Sequence, residues 1–244
     1  MRYHNIPVLF LMVFVCSACV QTQPLISHAH LGHALTTWHD TPRQQGLLQT
    51  AQDEAEYALS IAARVKKTSD NVSKRRGIDE IGYVINPDVF SAKNYPHRYG
   101  VLRSLTGVLD HVEFAASSQD SSLNLVKSVN DISVKGEQVI EQFRVIQQTV
   151  QSVDHYGDDL SALSNELYQR LYNAVNGGHS RGTVPFYGLS DFERDFDLMV
   201  AREKDPRYEP LPKKYLLGVV RLPGGRWGFR IDSSDFSNTY PKGW

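Results

Sequence analysis

His28, His30 and His33, followed closely by His39, form the grouping in this sequence whose residue type and spacing best suit a defined chemistry. Neutral imidazole is the usual nitrogen ligand of zinc, copper and haem iron, so such a cluster points to a transition metal or a non-covalently held haem. Helical geometry decides which rings could act together. At about 100° per residue, His30 and His33 lie on one face a turn apart, while His28 falls roughly 160° from His30. His28 and His39 return to one face, but about 16 Å apart along the axis. One helix therefore supplies a two-histidine site, and further ligands must come from another element. His111, with Asp110 and Glu113 beside it, is the first candidate donor, ahead of His97 and His155; His28 and His39 are further candidates. The bland alternative is an exposed helix that merely carries polar histidines and buries Leu31, Leu35 and Trp38.

Other chemistries find little support. There is no Cys-x-x-Cys-His for covalent haem, no His-Glu-x-x-His for a zinc protease, no Gly-x-Ser-x-Gly and no phosphate loop ending in Gly-Lys-Ser or Gly-Lys-Thr. The segment Asn176 to Gly182 lacks the carboxylates of a calcium loop. Asp158-Asp159 and Asp195 with Asp197 could pair as acid and base, but they stand where helix starts and solvated faces usually place Asp. No catalytic residue is assigned. An enzyme would need base and nucleophile from His111, Asp110 or Glu113, which no motif ties together. A formal charge of -1 and a pI near 6.8 give no electrostatic footprint for nucleic acid.

The elements that must position these residues are mainly helices. Leu48, Ala51, Ala55, Ala58, Ala62 and Val65 recur at steps of three and four, with Thr50 as N-cap and Asp53 three residues on, as in a capping box. A helix through Ile78, Ile81 and Ile85 stops before Pro87. Another carries Leu102, Leu105, Val108, Leu109, Val112 and Ala116. Leu125, Val129, Ile132, Gly136, Val139, Phe143, Ile146, Val150 and Val153 step by four and three, a heptad seam altered in character only at Gly136. That helix, about 43 Å long, must lie along several partners or bend near the glycine. Leu160 to Ala174 form a further helix closed by Gly177-Gly178. Ser190 caps a short helix with Phe192, Phe196 and Met199. Alternation of Trp227, Phe229 and Ile231 with polar neighbours, after Leu217, Val219 and the turn Pro223-Gly224-Gly225, reads as a β-hairpin. The expectation is a mainly α protein: a bundle of four to six helices over 28–178, an irregular segment with a short helix over 179–212, and a small β-hairpin appendage and tail over 213–244.

The chain starts with Arg2 and an apolar run from Ile6 to Val15, shorter than the roughly 20 residues a membrane-spanning helix needs. The run ends in Cys16-Ser17-Ala18-Cys19, which resembles a bacterial lipoprotein signal, although Cys16 occupies a position that usually holds Leu. The resemblance implies a signal peptide over 1–18 and a tether over 19–27. It also implies export and lipid on Cys19 (diacylglycerol and a further acyl chain such as palmitate), with the bilayer as partner. Val20 after the cysteine favours the periplasmic face of the outer membrane. An ordinary secretory signal cut after Ala18 is the alternative. The sequence holds two cysteines, and with Cys16 removed and Cys19 acylated the mature chain would have neither thiol nor disulfide.

His30-x-x-His33, Trp38-x-x-Thr41-Pro42, Gly46-Leu47-Leu48, Ala51-x-x-Glu54-Ala55, Pro87-Asp88, Tyr99-Gly100-Val101, Asp110-His111 and Phe114-Ala115-Ala116 together resemble an uncharacterised family of exported, helix-rich bacterial proteins. The likeness spans 27–178. It implies a helical bundle with His30, His33 and His111 near one another, and no reaction. Members of that family carry further histidines where this chain has Ile61, Glu80 and Tyr83. Three functions follow as expectations: a non-catalytic envelope lipoprotein whose seam and hairpin engage an envelope protein; a periplasmic metal- or haem-binding protein; and an enzyme of unidentified class.

Overall fold

The computed structural model describes residues 25–90, 95, 97–157, 160–178, 186–202, 219–221 and 227–229. The expected signal peptide, with Cys16, Cys19 and most of the expected tether, lies outside them. Ile26 and Ser27, the last residues of the expected tether, are already helical.

Seven α-helices stand among the described residues: α1 (Ile26–Leu35), α2 (Leu47–Lys67), α3 (Asn71–Ile85), α4 (Val101–Ser117), α5 (Leu123–Gln151), α6 (Ser161–Asn176) and α7 (Leu189–Ala201). The architecture is mainly α, as expected. Six of the helices lie within 26–176, in keeping with the expected four to six, and the seventh is the short helix expected over 179–212. Leu31 and Ala34 of α1, and Phe192, Phe196 and Met199 of α7, belong to the same buried cluster as the central helices.

α2 owes its central place to a face of small residues. Ala51, Ala55, Ala58 and Ala62 are essentially fully buried, and their short side chains let α3, α4 and α6 pack closely against it. The expected N-cap at Thr50 is incorrect. The cap is Gly46, and the Thr50 hydroxyl donates back to the Gly46 carbonyl at 2.9 Å from inside the first turn, a bond open to Thr within a helix. Asp53 accepts instead from Arg43, Gln45 and Gln49, which ties the turn at Pro42–Gln44 to the helix.

α3 is capped by Asp70, whose carboxylate accepts from the amides of Val72 and Ser73, and it ends before Pro87. Gly100, at φ 95°, turns the chain into α4, a backbone conformation that favours glycine. α5 runs its full 29 residues with Ser122 as N-cap. Its heptad face is consumed internally: Leu125, Ile132, Val139, Phe143, Ile146 and Val150 are buried against α4, α6, α7 and α3. Of the two expectations, lying along several partners is the one found. Gly136 marks the point where α5 meets Leu109 of α4 and Phe192 of α7.

α7 begins at Gly188 rather than on a Ser190 cap. Ser190 lies inside the first turn and donates to the Val175 carbonyl at 3.0 Å, while Asp191 accepts from the Gly188 amide. Beyond Arg202 the described residues are two three-residue stretches, Val219–Arg221 and Trp227–Phe229, paired antiparallel. So short a contact does not establish the hairpin appendage, and the rest of 213–244 lies outside the described residues. Among the described residues no helix is long and apolar enough to cross a membrane.

Candidate metal centre

α1 has no capping side chain of its own. Its first amides are instead taken by Asp120, in the turn between α4 and α5, whose carboxylate accepts from Ile26 N at 2.6 Å and Ser27 N at 3.0 Å. A carboxylate at a helix N-terminus satisfies orphan amides and complements the helix dipole. Here it also fixes α1 against α4. The helix is largely buried: Ser27, His28, Ala29, Leu31 and Ala34 are covered, with Leu35 and Trp38 partly so. The exposed helix of the bland reading is thus not found.

This packing brings His30 and His33 of α1 against His111 of α4. One ring nitrogen from each lies within 4.8 Å of the other two. His30 Nδ1 and His111 Nδ1 are 3.1 Å apart, close enough for one to donate to the other. It is also close to the roughly 3.3 Å that separates two nitrogens sharing a tetrahedral zinc with bonds of about 2.0–2.1 Å. The rings of His33 and His111 stand 4.9 Å apart. Trp38 packs 4.7 Å from His33 and 4.9 Å from His111, and Phe114 lies 5.4 Å from His30. The cluster is a half-buried patch of imidazole between two aromatic rings.

Burial shapes the charge. It pushes His33 down to about 4, helped by the nearby His30 and His39. It pushes His111 down to about 3, helped by His33 and His30. His30 is also lowered by burial, partly offset by the Asp120 carboxylate. His33 and His111 are therefore neutral at pH 7, and neutral imidazole is the form that binds metal.

The other sequence candidates fall elsewhere. His28 is buried on α1, 5% exposed, and does not join the cluster. His39 is exposed, pairs with Asp40 at 3.0 Å, and meets the cluster through a tilted contact with Trp38 and its electrostatic effect on His33. His97 and His155 are exposed. Glu113 is exposed and accepts from Ser133 Oγ at 3.0 Å, and Asp110 is also exposed. Neither carboxylate is in the cluster. Asp195, one of the acid–base candidates, is a structural tie. Burial pushes its carboxyl up, but Lys135 at 2.7 Å and the Tyr187 hydroxyl at 2.8 Å outweigh that and hold it down. Asp158 and Asp159 lie outside the described residues.

Sequence reasoning missed Trp38 and Phe114 as walls of the site and Asp120 as the cap of α1. Trp38, five residues after His33, carried a signal that was read as core. Asp120 carried none, since just before α5 it reads as a local cap, the role Ser122 performs.

The fold and site define a helical bundle with a three-imidazole cluster between its first and fourth helices. No protein-family model matches the chain, no curated protein matches it, and no solved structure matches it.

The depressed histidines set a pH dependence in the metal-free protein. In the unfolded chain they protonate near pH 6.5, whereas folded His33 and His111 stay neutral down to about 4 and 3. The unfolded state then binds more protons, so stability falls as pH drops below about 6.5. Urea midpoints measured from pH 7.5 to pH 4.5 should decline, and a His33→Gln, His111→Gln variant should show a shallower decline. Parallel slopes in the two proteins would contradict this.

Proposed function

We propose that this chain is an envelope lipoprotein, anchored through acylated Cys19, whose bundle holds a transition-metal ion on His30, His33 and His111. The observation that carries the metal is the convergence of three imidazoles from two helices, one nitrogen of each within 4.8 Å of the others. A set of nitrogen donors suits zinc or copper, whereas calcium and magnesium take oxygen. We take an ion over haem, since Trp38 and Phe114 already pack on the imidazoles, with ring centroids 4.7 and 5.4 Å away. Three protein ligands leave a fourth position for water or another ligand, the arrangement of an open site rather than a closed structural one.

A non-catalytic interaction or structural module is supported by the absence of a catalytic motif and by the heptad seam, but that face is used within the bundle itself. An enzyme would need base and nucleophile from His111, Asp110 or Glu113, and of these only His111 belongs to the cluster. The anchor rests on the sequence pattern ending at Cys19, with Val20 favouring the outer membrane. Membership of the exported, helix-rich family and a C-terminal hairpin over 213–244 belong to the same proposal.

Protein made with its own signal and purified from the envelope should carry zinc or copper on elemental analysis, and a His30→Ala, His33→Ala variant should not. Metal-free protein that also fails to take up added zinc and copper would sink the reading, as would haem uptake without metal. Separately, Cys19→Ser should move the protein out of the membrane fraction, and unchanged fractionation would remove the anchor.

A further inference from the structure

Large apolar side chains are left exposed at one end of the bundle. Leu123 is 78% exposed, Phe114 54%, Ile26 52%, Val126 45% and Leu198 44%. Hydrogen bonds place them together. Ile26 N is held by Asp120 at 2.6 Å, which puts the start of α1 at the turn that leads to Leu123 and Val126. The Asn124 side chain donates to the Met199 carbonyl at 2.9 Å, which puts Leu198 beside the first turn of α5. Phe114, against His30 of α1, lies six residues before Asp120. Exposed apolar residues scattered singly need no explanation, but a contiguous group does.

We infer that this end of the bundle rests on the bilayer to which Cys19 tethers it. The inference deepens the anchoring part of the proposed function and rests on it. The chain enters the described structure at this same end, at Leu25, which is only six Cα steps from Cys19. Even fully extended they span about 20 Å. Acylation therefore holds Ile26 and its neighbours within reach of the headgroups and confines the apolar end to the layer where such side chains partition. Exposed Lys127 and Arg202 on its rim are suited to anionic headgroups and offset the exposed Asp197. The far end, where Arg75 meets Asp154 at 2.6 Å, is separated from Leu123 by roughly the length of α5, about 43 Å, and would face away. In this orientation the histidine site lies next to the membrane surface, because His30 touches Phe114.

The test uses the full chain, made with its signal, in phosphatidylethanolamine–phosphatidylglycerol vesicles doped with a nitroxide-labelled phospholipid. A small fluorescent amino acid is placed at position 123, or as control at position 72, where Val72 is equally exposed at 78% on the far end. Flotation of the vesicles reads anchoring, and quenching reads docking. The expected result is severalfold stronger quenching at 123 than at 72, reduced to the control level by Val126→Glu with Leu198→Glu while the protein still floats. Equal quenching at the two positions in protein that floats would overturn docking and leave anchoring intact. Protein that fails to float would overturn anchoring; in that mixture, equal quenching rejects docking as well, and stronger quenching at 123 supports docking by the apolar end alone.

Discussion

His111→Ala is expected to weaken zinc or copper(II) binding by about 100-fold or more, equivalent to about 2.7 kcal/mol or more at 25 °C. Loss of an outer partner of a metal ligand alone costs about 10- to 100-fold, and His111 would be a ligand itself. It is also the one imidazole of the three that comes from α4. Without it, the site reduces to His30 and His33, a pair one turn apart on a single helix. His39→Ala is the matched control: its ring is exposed and outside the cluster, so affinity should stay close to that of the unsubstituted chain. Calorimetric titration of metal-stripped protein reads both. Equal affinity in His111→Ala and the parent would remove α4 from the site and, with it, the argument from convergence. A large loss in His39→Ala would instead move the centre toward the Trp38–Asp40 turn.

Part of this site is legible in the sequence. Period and pitch alone place His30 and His33 on one face and His28 away from them, and the structure keeps that division. His111 stands out in sequence only by the carboxylates beside it, which do not join the cluster, and helical period cannot place it against His30, because 81 positions separate them. What brings them together is a long-range bond. Asp120 reaches back to the amides of Ile26 and Ser27, and nothing in the residues around Asp120 distinguishes a carboxylate serving a remote helix from one serving the next. The two misplaced caps fail for a related reason. Thr50 and Ser190 have the residue type of a cap, but each hydroxyl donates to a carbonyl, Gly46 in one case and Val175 in the other. Glycines already supplied both helix starts. The helices themselves were readable because each carries its own apolar stripe, a local property. Ile61 and Tyr83 are buried core residues.

Gly136→Leu should lower stability, although it would perfect the heptad seam of α5. A free-standing coiled-coil reading expects the opposite sign, since filling an apolar seam position with Leu would contribute about 1.5–3 kcal/mol of burial, and leaving glycine behind about 0.8–1.0 kcal/mol of helix propensity relative to alanine. The surroundings decide the matter. A Cβ at Gly136 would lie 2.5 Å from Leu109 Cδ2 and 2.9 Å from Phe192 Cζ. Leu109 is 5% exposed and Phe192 fully buried, so neither ring nor methyl can swing into solvent without opening the junction of α4, α5 and α7. Overpacking of this kind costs about 1–3 kcal/mol and sometimes more. Gly136→Ala should be milder, because it makes the same close Cβ contacts with Leu109 and Phe192 but adds none of the further atoms of leucine, and it gains helix propensity in return. Urea unfolding of the two variants gives the comparison, and a higher midpoint for Gly136→Leu would mean that α5 does not meet its neighbours as described. The cause can be checked by relief: adding Leu109→Ala should make Gly136→Leu less harmful than the two changes summed, with a coupling of about 0.5–3 kcal/mol for residues in direct contact. Simple additivity would place the strain elsewhere. That coupling would also tie the long helix to α4, the element that carries His111, through the one seam position where the sequence pattern lapses.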